Sequence, residues 1–373
     1  MRSDERVDLV VRAPRILTMS ELGMVEDGCV AVSGGSIVQV GGDCPRSEER
    51  LELPHHLLMP GLIDAHAYTY LLAAGRSSGD LQGFRPSSDA LYWSALFAYT
   101  TMLLSGVTTV RDSAHDPSVL ERAAQRSGIR VIASRLVEPG EAVPQWPELT
   151  LLTSEGWTPP KPAPGEGRIV LDVSGLESPL GPEDVGRASA VAGASIPLST
   201  AKALVEAGVG LVITPSQALR GRWAGGILRL RSIGVEAALG TGIRSLYAIP
   251  SLLDEARIAL HLDAMGGFNP DPSPLLESMT SSAGSILGGG IGRIAPGFRA
   301  DMVALDLRKP HLRFPSGDPR SVILFSAGRG DFDYVLVNGE VVVEEGRHKW
   351  LYLEGITRKL ESVLGSPPPG ARA

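Results

Sequence analysis

This chain is poor in several things that would have fixed its class at once. Two cysteines in 373 residues, Cys29 and Cys44, exclude a disulfide-built scaffold. We read them as distant thiols of a reducing cytoplasm. Aromatic residues make up only 5% and histidines number seven, so any aromatic or imidazole cluster must be assembled from few parts. There is no excess of basic residues. A net charge of -7 disfavours nucleic acid as a partner, because phosphate binding requires clustered Lys and Arg. No apolar run reaches the roughly 18 residues needed to span a bilayer, so no membrane partner is expected. The N-terminal Met1-Arg2-Ser3-Asp4-Glu5-Arg6 is charged and has no apolar signal core behind it. The expectation is a cytoplasmic protein. What remains is ordinary globular composition, 43% apolar and 21% charged, long enough for one large core and one smaller one.

The two ends of the chain are written alike. Val7–Arg12, Cys29–Val32 and Ser36–Val40 alternate apolar and polar residues between Gly-rich turns. Asp301–Leu305 and Tyr334–Val343 repeat that style, the latter turning at Asn338-Gly339. We expect a composite β domain, of sandwich type, formed by residues 1–57 and 296–350. Residues 351–373 read as a C-terminal helix and a flexible tail.

The middle, residues 58–295, alternates short apolar runs with helical stretches, as parallel α/β architectures do. Eight strand candidates can be placed: Leu62–Ala65, Val107–Arg111, Ile129–Leu136, Leu149–Leu152, Arg168–Val173, Ala190–Ala194, Val209–Thr214 and Glu236–Leu239. Eight such strands predict a (β/α)8 barrel of the TIM type. The barrel is expected to be pared down where connectors are short or rich in Pro and Gly, as in Leu176–Ser189 and Pro139–Pro164. The glycine run Gly288–Gly292 lacks the strand, helix and lysine of a phosphate loop.

Four segments carry a resemblance. They are Met59-Pro60-Gly61-Leu62-Ile63-Asp64-Ala65-His66, Gly106–Asp112, Ala238-Leu239-Gly240-Thr241-Gly242 and Ala295–Val303, in that order. Together they resemble the amidohydrolase superfamily. Leu305–Leu312 is similar to its deaminase and chlorohydrolase branch, which includes cytosine, guanine and adenosylhomocysteine deaminases and triazine hydrolases. The resemblance implies a barrel with one catalytic metal. Its ligands would be two histidines on strand one, one each on strands five and six, and an aspartate on strand eight, with a glutamate near strand five moving protons.

Carried onto this chain, the pattern fails. His66 matches the first histidine, but Tyr68 stands at the second. The strand-five histidine falls on Asp172 and the glutamate on Gly175. The strand-six histidine falls near Gly193 and the strand-eight aspartate on Gly242. A phenol is a poor zinc ligand, and glycine offers no side chain. The expectation is therefore a degenerate site with no metal and no other cofactor.

Polar groups expected at the C-terminal face of the barrel are His66, Tyr68, Asp112, His115, Arg135, Glu138, Asp172 and Thr241. If Asp172 faces His66, it would hold the imidazole in one tautomer as a general base; otherwise His66 merely bonds nearby backbone. Tyr68 is either the acid or a space filler. His115 and Asp112 are read as substrate-binding, against a loop histidine and a structural aspartate. Arg135 and Glu138 either bind substrate or pair with each other on the rim. His261 is read as core-facing or capping.

Three functions stay open. One is a metal-independent enzyme of specialised metabolism, using acid/base chemistry on a small organic substrate for cyclisation, dehydration, isomerisation or elimination. Another is a metal-dependent hydrolase or deaminase acting on C–N bonds. The last is a non-catalytic binding or partner subunit. The resemblance also implies a homodimer.

Overall fold

The structure is a computed structural model that describes residues 6–74, 83–152, 168–173, 188–193, 196–218, 226–242, 251–313 and 317–365. The Gly175 position and the C-terminal tail lie outside the described residues, as do most of Leu176–Ser189 and the end of Pro139–Pro164. No helix among the described residues is long and apolar enough to cross a membrane.

Five strands open the chain: β1 (Val7–Leu17), β2 (Met24–Ser33), β3 (Ser36–Val40), β4 (Ser47–Glu52) and β5 (His56–Pro60). Eight follow in the middle: β6 (Leu62–Ala67), β7 (Val107–Ala114), β8 (Arg130–Val137), β9 (Glu148–Leu152), β10 (Arg168–Asp172), β11 (Ala190–Gly193), β12 (Gly210–Ile213) and β13 (Ala238–Leu239). Four close the chain: β14 (Met302–Asp306), β15 (Phe332–Val337), β16 (Glu340–Glu344) and β17 (Arg347–His348). Helices that matter below are α1 (Ser88–Leu103), α2 (Pro117–Ser127), α3 (Leu198–Glu206), α4 (Pro215–Ala218), α5 (Ile227–Arg231) and α6 (Leu252–Met265).

Strands β6 to β13 form one eight-stranded parallel sheet in chain order. Its ends nearly meet. Gly242 donates its N–H to the carbonyl of His66 at 2.8 Å, and Thr241 binds Asp64 from the other side. The predicted eight-stranded barrel is thus present, strand for strand. The remaining nine strands form a single hydrogen-bonded sheet drawn from both termini, with β14 paired to β5 and β5 to β1. Its core includes Val11, Ile16, Val30, Leu58, Met302 and Leu336. Asn338 and Gly339 turn the β15–β16 hairpin with φ of 52° and 78°, the conformation this two-residue turn requires.

The passage from sheet to barrel is abrupt. Gly61 sits between β5 and β6, and a Cβ there would lie 2.1 Å from Thr108 Oγ1. Only glycine permits this approach. Asp301 locks the junction by accepting two bonds from Arg130 at 3.0 and 2.9 Å, while its carbonyl accepts from Gly61. Helix α2 then sets the start of β8. Asp116 caps it, Pro117 stands in the first turn, and Gly128 ends it at φ 81°.

Two expectations need correction. Cys29 and Cys44 are joined in a disulfide, with Cα atoms 5.9 Å apart. The β2–β3 hairpin brings residue 44 back beside β2, with Gly41 donating to the Cys29 carbonyl. The cysteines therefore give no argument for a reducing compartment. His261, on α6, is exposed rather than core-facing.

Candidate active site

The end of β6 is organised by Asp64. Its carboxylate accepts bonds from the backbone N–H of His66 at 3.2 Å, the N–H of Thr241 at 3.0 Å and the Thr241 hydroxyl at 2.7 Å. Burial pushes the Asp64 carboxyl up to about 7, with these hydrogen bonds opposing. Thr241 was expected to line the mouth. It is instead consumed in tying β13 to β6.

That clamp presents His66 and Tyr68, both essentially inaccessible, to Asp172 at the end of β10. His66 Nε2 lies 3.3 Å from Asp172 Oδ2. The Tyr68 hydroxyl donates to the same oxygen in a short bond. The two rings meet edge to face at 4.8 Å. His66 Nδ1 is buried and has no hydrogen-bond partner among the described residues. The imidazole faces a carboxylate with one nitrogen and leaves the other uncommitted.

Asp112 does not join them. It accepts from the Thr69 N–H at 3.0 Å, the Thr69 hydroxyl, the Tyr99 hydroxyl at 2.8 Å and the Ser113 N–H at 2.9 Å. Four donors saturate it, and burial pushes its carboxyl up to about 6. It fastens α1 and the 3₁₀ turn Thr69–Ala74 to β7.

On the rim, His115 Nε2 lies 3.3 Å from Glu138 Oε1, and Arg135 donates to the His115 carbonyl. The Arg135–Glu138 pair that the spacing allowed does not form. Glu138 stands beside His115 without a hydrogen bond to it, and Arg135 is drawn to backbone. Burial, and then the guanidinium groups of Arg85 and Arg135, lower the His115 imidazole to about 4. The Tyr70 ring stands 5.9 Å from that of His115 and 6.1 Å from that of Tyr68. An aromatic run therefore links His66 in the centre to His115 at the edge.

Two groups escaped the sequence reading. Arg111 is fully buried inside the barrel. It donates to Thr150 Oγ1, Ser134 Oγ and the Leu149 carbonyl at 2.8–3.0 Å, and Glu148 stands 3.7 Å away. Burial lowers the guanidinium to about 10. A charged residue inside a buried strand was the available signal. The other group is Thr214, Gln217 and Glu255, near the ends of β12 and β13. Nothing in their spacing marks them.

Do these residues suit the metal that the resemblance implies? At the inherited positions, His66 and Asp172 offer ordinary donors and Tyr68 a phenol. The register pairs Asp172 with Ala192, so the strand-six site level with it is Ala192, next to Gly193. Neither supplies a donor. A Cβ at Gly242 would lie 2.5 Å from Gln217 Nε2 and 2.7 Å from Thr214 Cγ2, in a backbone with φ of 51°. Among the described residues, the converging group of three metal-ligating types is His56, Asp306 and Asp333, in the terminal sheet. Among the described residues at these positions, two ordinary donors and one phenol stand where a catalytic zinc site has three protein ligands.

Comparison with known proteins places this geometry. The model of the amidohydrolase family matches residues 188–342. A 5-methylthioadenosine/S-adenosylhomocysteine deaminase of Pyrococcus furiosus is 33% identical over 145 residues, 37% of this chain and 34% of that relative. The enzyme of the same name from Pelotomaculum thermopropionicum is 23% identical over 91% of this chain and 94% of its own. A zinc-bound adenosine deaminase from Xanthomonas campestris superposes with a TM-score of 0.80 at 18% identity, covering 96% of this chain and 98% of that one, which establishes the fold. Four sequence segments, an eight-stranded barrel with a sheet built from both termini, and these matches agree: the chain has the fold of the solved adenosine deaminase and is similar to the amidohydrolase family, whose model matches residues 188–342.

Proposed function

We propose that this chain is an enzyme acting at the C-terminal mouth of its barrel on a small nitrogen-rich molecule. The substrate class is the kind of nucleoside derivative for which its relatives are named. Its own residues supply acid/base chemistry. The observation that carries this reading is the convergence of His66 Nε2 and the Tyr68 hydroxyl on one oxygen of Asp172, with His66 Nδ1 left open. With Nε2–H held by the carboxylate, Nδ1 keeps its lone pair and takes a proton from substrate. Asp172 stabilises the imidazolium that forms. Tyr68, bonded to the same carboxylate, is placed to return a proton. Burial of the group limits competition from water.

A second reading is a metal-dependent hydrolase of C–N bonds. It is favoured by the deaminase names of relatives that align over nine-tenths of the chain. Its difficulty is the donor set described above.

The two part company in one assay. Turnover of 5'-methylthioadenosine, S-adenosylhomocysteine and 5'-deoxyadenosine is measured before and after chelation, alongside metal content. The acid/base reading expects turnover that survives chelation, and a loss of about 10²–10⁴-fold in His66→Ala. Unchanged turnover in His66→Ala rejects it. A stoichiometric transition ion whose removal abolishes turnover establishes the second reading.

A further inference from the structure

The terminal sheet holds a converging set of side chains that the barrel chemistry does not use. Strands β5, β14 and β15 lie side by side. In the register of β5 with β14, His56 stands opposite Asp306. The register of β14 with β15 slips at Ala304/Leu305, which makes Asp333 the extra residue of β15. A slip of this kind re-aims a side chain. Asp333 Oδ2 accepts from the Asp306 N–H at 3.1 Å and lies 3.8 Å from His56 Nε2. One donor atom from each of His56, Asp306 and Asp333 lies within 4.8 Å of the other two.

The imidazole is the informative member. His56 is only 9% exposed, yet its Nδ1 has no partner among the described residues, and 3.8 Å is beyond hydrogen-bond reach for its Nε2. Buried polar groups are ordinarily paired, and imidazole is the commonest metal ligand. Charge points the same way. Asp331 joins Asp306 and Asp333, and the cations paired with these three carboxylates are Arg308 and Lys309. With the histidines neutral, one negative charge is left over. Arg308 is 64% exposed, and so open an ion pair holds little energy against an incoming dication. Lys309 bonds Asp333 at Oδ1, while Oδ2 is the oxygen facing His56. Both aspartates keep some exposure, 15% and 16%, which gives an ion a way in. We propose that His56, Asp306 and Asp333 bind one divalent transition ion of the Zn2+ type. The nitrogen donor argues against Mg2+ and Ca2+, which take oxygen shells. An ion bound at about 2.0–2.2 Å holds its donors about 3–4 Å apart, so small side-chain rotations close the set. The bound ion would tie β5, β14 and β15 together outside the barrel, whatever the role of His66.

The probe is Zn2+ itself, titrated by calorimetry into the full chain after chelator stripping, with Mg2+ as the control and the melting temperature followed in parallel. His66→Ala serves as the background, because it removes any ion held at the barrel mouth. That protein is expected to bind Zn2+ saturably, to melt at a higher temperature with it, and to ignore Mg2+. Adding His56→Gln or Asp333→Asn should weaken Zn2+ binding by at least about 10–100-fold, the cost of losing even an outer-shell partner of a metal. Adding Arg308→Ala removes a competing cation and should tighten binding about threefold, a gain that a folding defect cannot imitate. No saturable Zn2+ binding in the His66→Ala background, undiminished binding in His56→Gln and Asp333→Asn, or weaker binding in Arg308→Ala would overturn the assignment. Zn2+ binding that is present in the wild type, lost in His66→Ala and kept in Asp333→Asn also overturns it, and places the ion at the barrel mouth in favour of the metal-dependent hydrolase.

Discussion

The two halves of the barrel interior differ in kind. Strands β7 to β9 fill it with polar groups: Arg111, Ser113, Ser134 and Thr150, hydrogen-bonded into one network. Strands β10 to β13 fill it with Val170, Ala190, Ala192, Val212 and Ala238. A buried arginine is tolerable only when its donors are spent, so the polar half is a rigid lattice whose members depend on one another. The apolar half is made of short side chains. Near the mouth, the hydroxyl of Thr214 and the amide oxygen of Gln217 have no partner among the described residues. Asp172 ends the first strand of that half and accepts from His66 and Tyr68 across the barrel. One half thus supplies stiffness and the other supplies open valences.

This contrast can be broken at several points. The largest effect is expected from Arg111→Met. It strips Thr150, Ser134, the Leu149 carbonyl and Glu148 of their shared cation, and should cost about 3–5 kcal/mol in denaturant unfolding. A loss below 1 kcal/mol would mean that the lattice is not what holds that half. Ala192→Leu attacks the other half. It overfills a position with no exposure and should cost about 1–3 kcal/mol. A neutral result would reveal spare volume beneath the mouth.

The smallest effect concerns pH. Burial pushes the Asp64 and Glu255 carboxyls up to about 7. The folded chain therefore keeps protons that the unfolded chain has already released between about pH 4 and 7. Stability from these groups is present below the ordinary carboxylate range and is lost as pH rises through 7. His115, lowered to about 4, works in the opposite sense, losing stability as pH falls below the ordinary histidine value. Between pH 6 and 8 the carboxylates should dominate, so the melting temperature should fall, and Glu255→Gln should flatten the slope. A wild-type melting temperature that is level or rising across that window would show that neither group keeps its proton.

The barrel was legible because each strand is a short apolar run between turn-forming residues. Arg168–Val173, read from the sequence, is Arg168–Asp172 in the structure, and the Asn338-Gly339 turn lies where it was read. The site was only partly legible. His66, Tyr68 and Asp172 could be named because they stand at strand ends. Asp112 and Thr241 stand at strand ends too, yet the fold spends them on anchoring Thr69 and Asp64. Sequence position says that a side chain reaches the rim but not which neighbour claims it. The partners of Asp112, namely Thr69 and Tyr99, come from a turn and a helix that only packing brings together.

By itself, the sequence determined the order of the barrel strands, the joining of both termini in one β unit, and the residue types at Tyr68 and Gly242. Those follow from local pattern and residue identity. That this unit is one nine-stranded sheet, where a sandwich was expected, came from the structure. Tertiary structure alone decided that Cys29 meets Cys44, that one oxygen of Asp172 serves both His66 and Tyr68, and that Gln217 stands against Gly242. Each is a contact between residues far apart or on different elements. Which donor reaches which acceptor is settled by the three-dimensional closure of the barrel and the desolvation that comes with it.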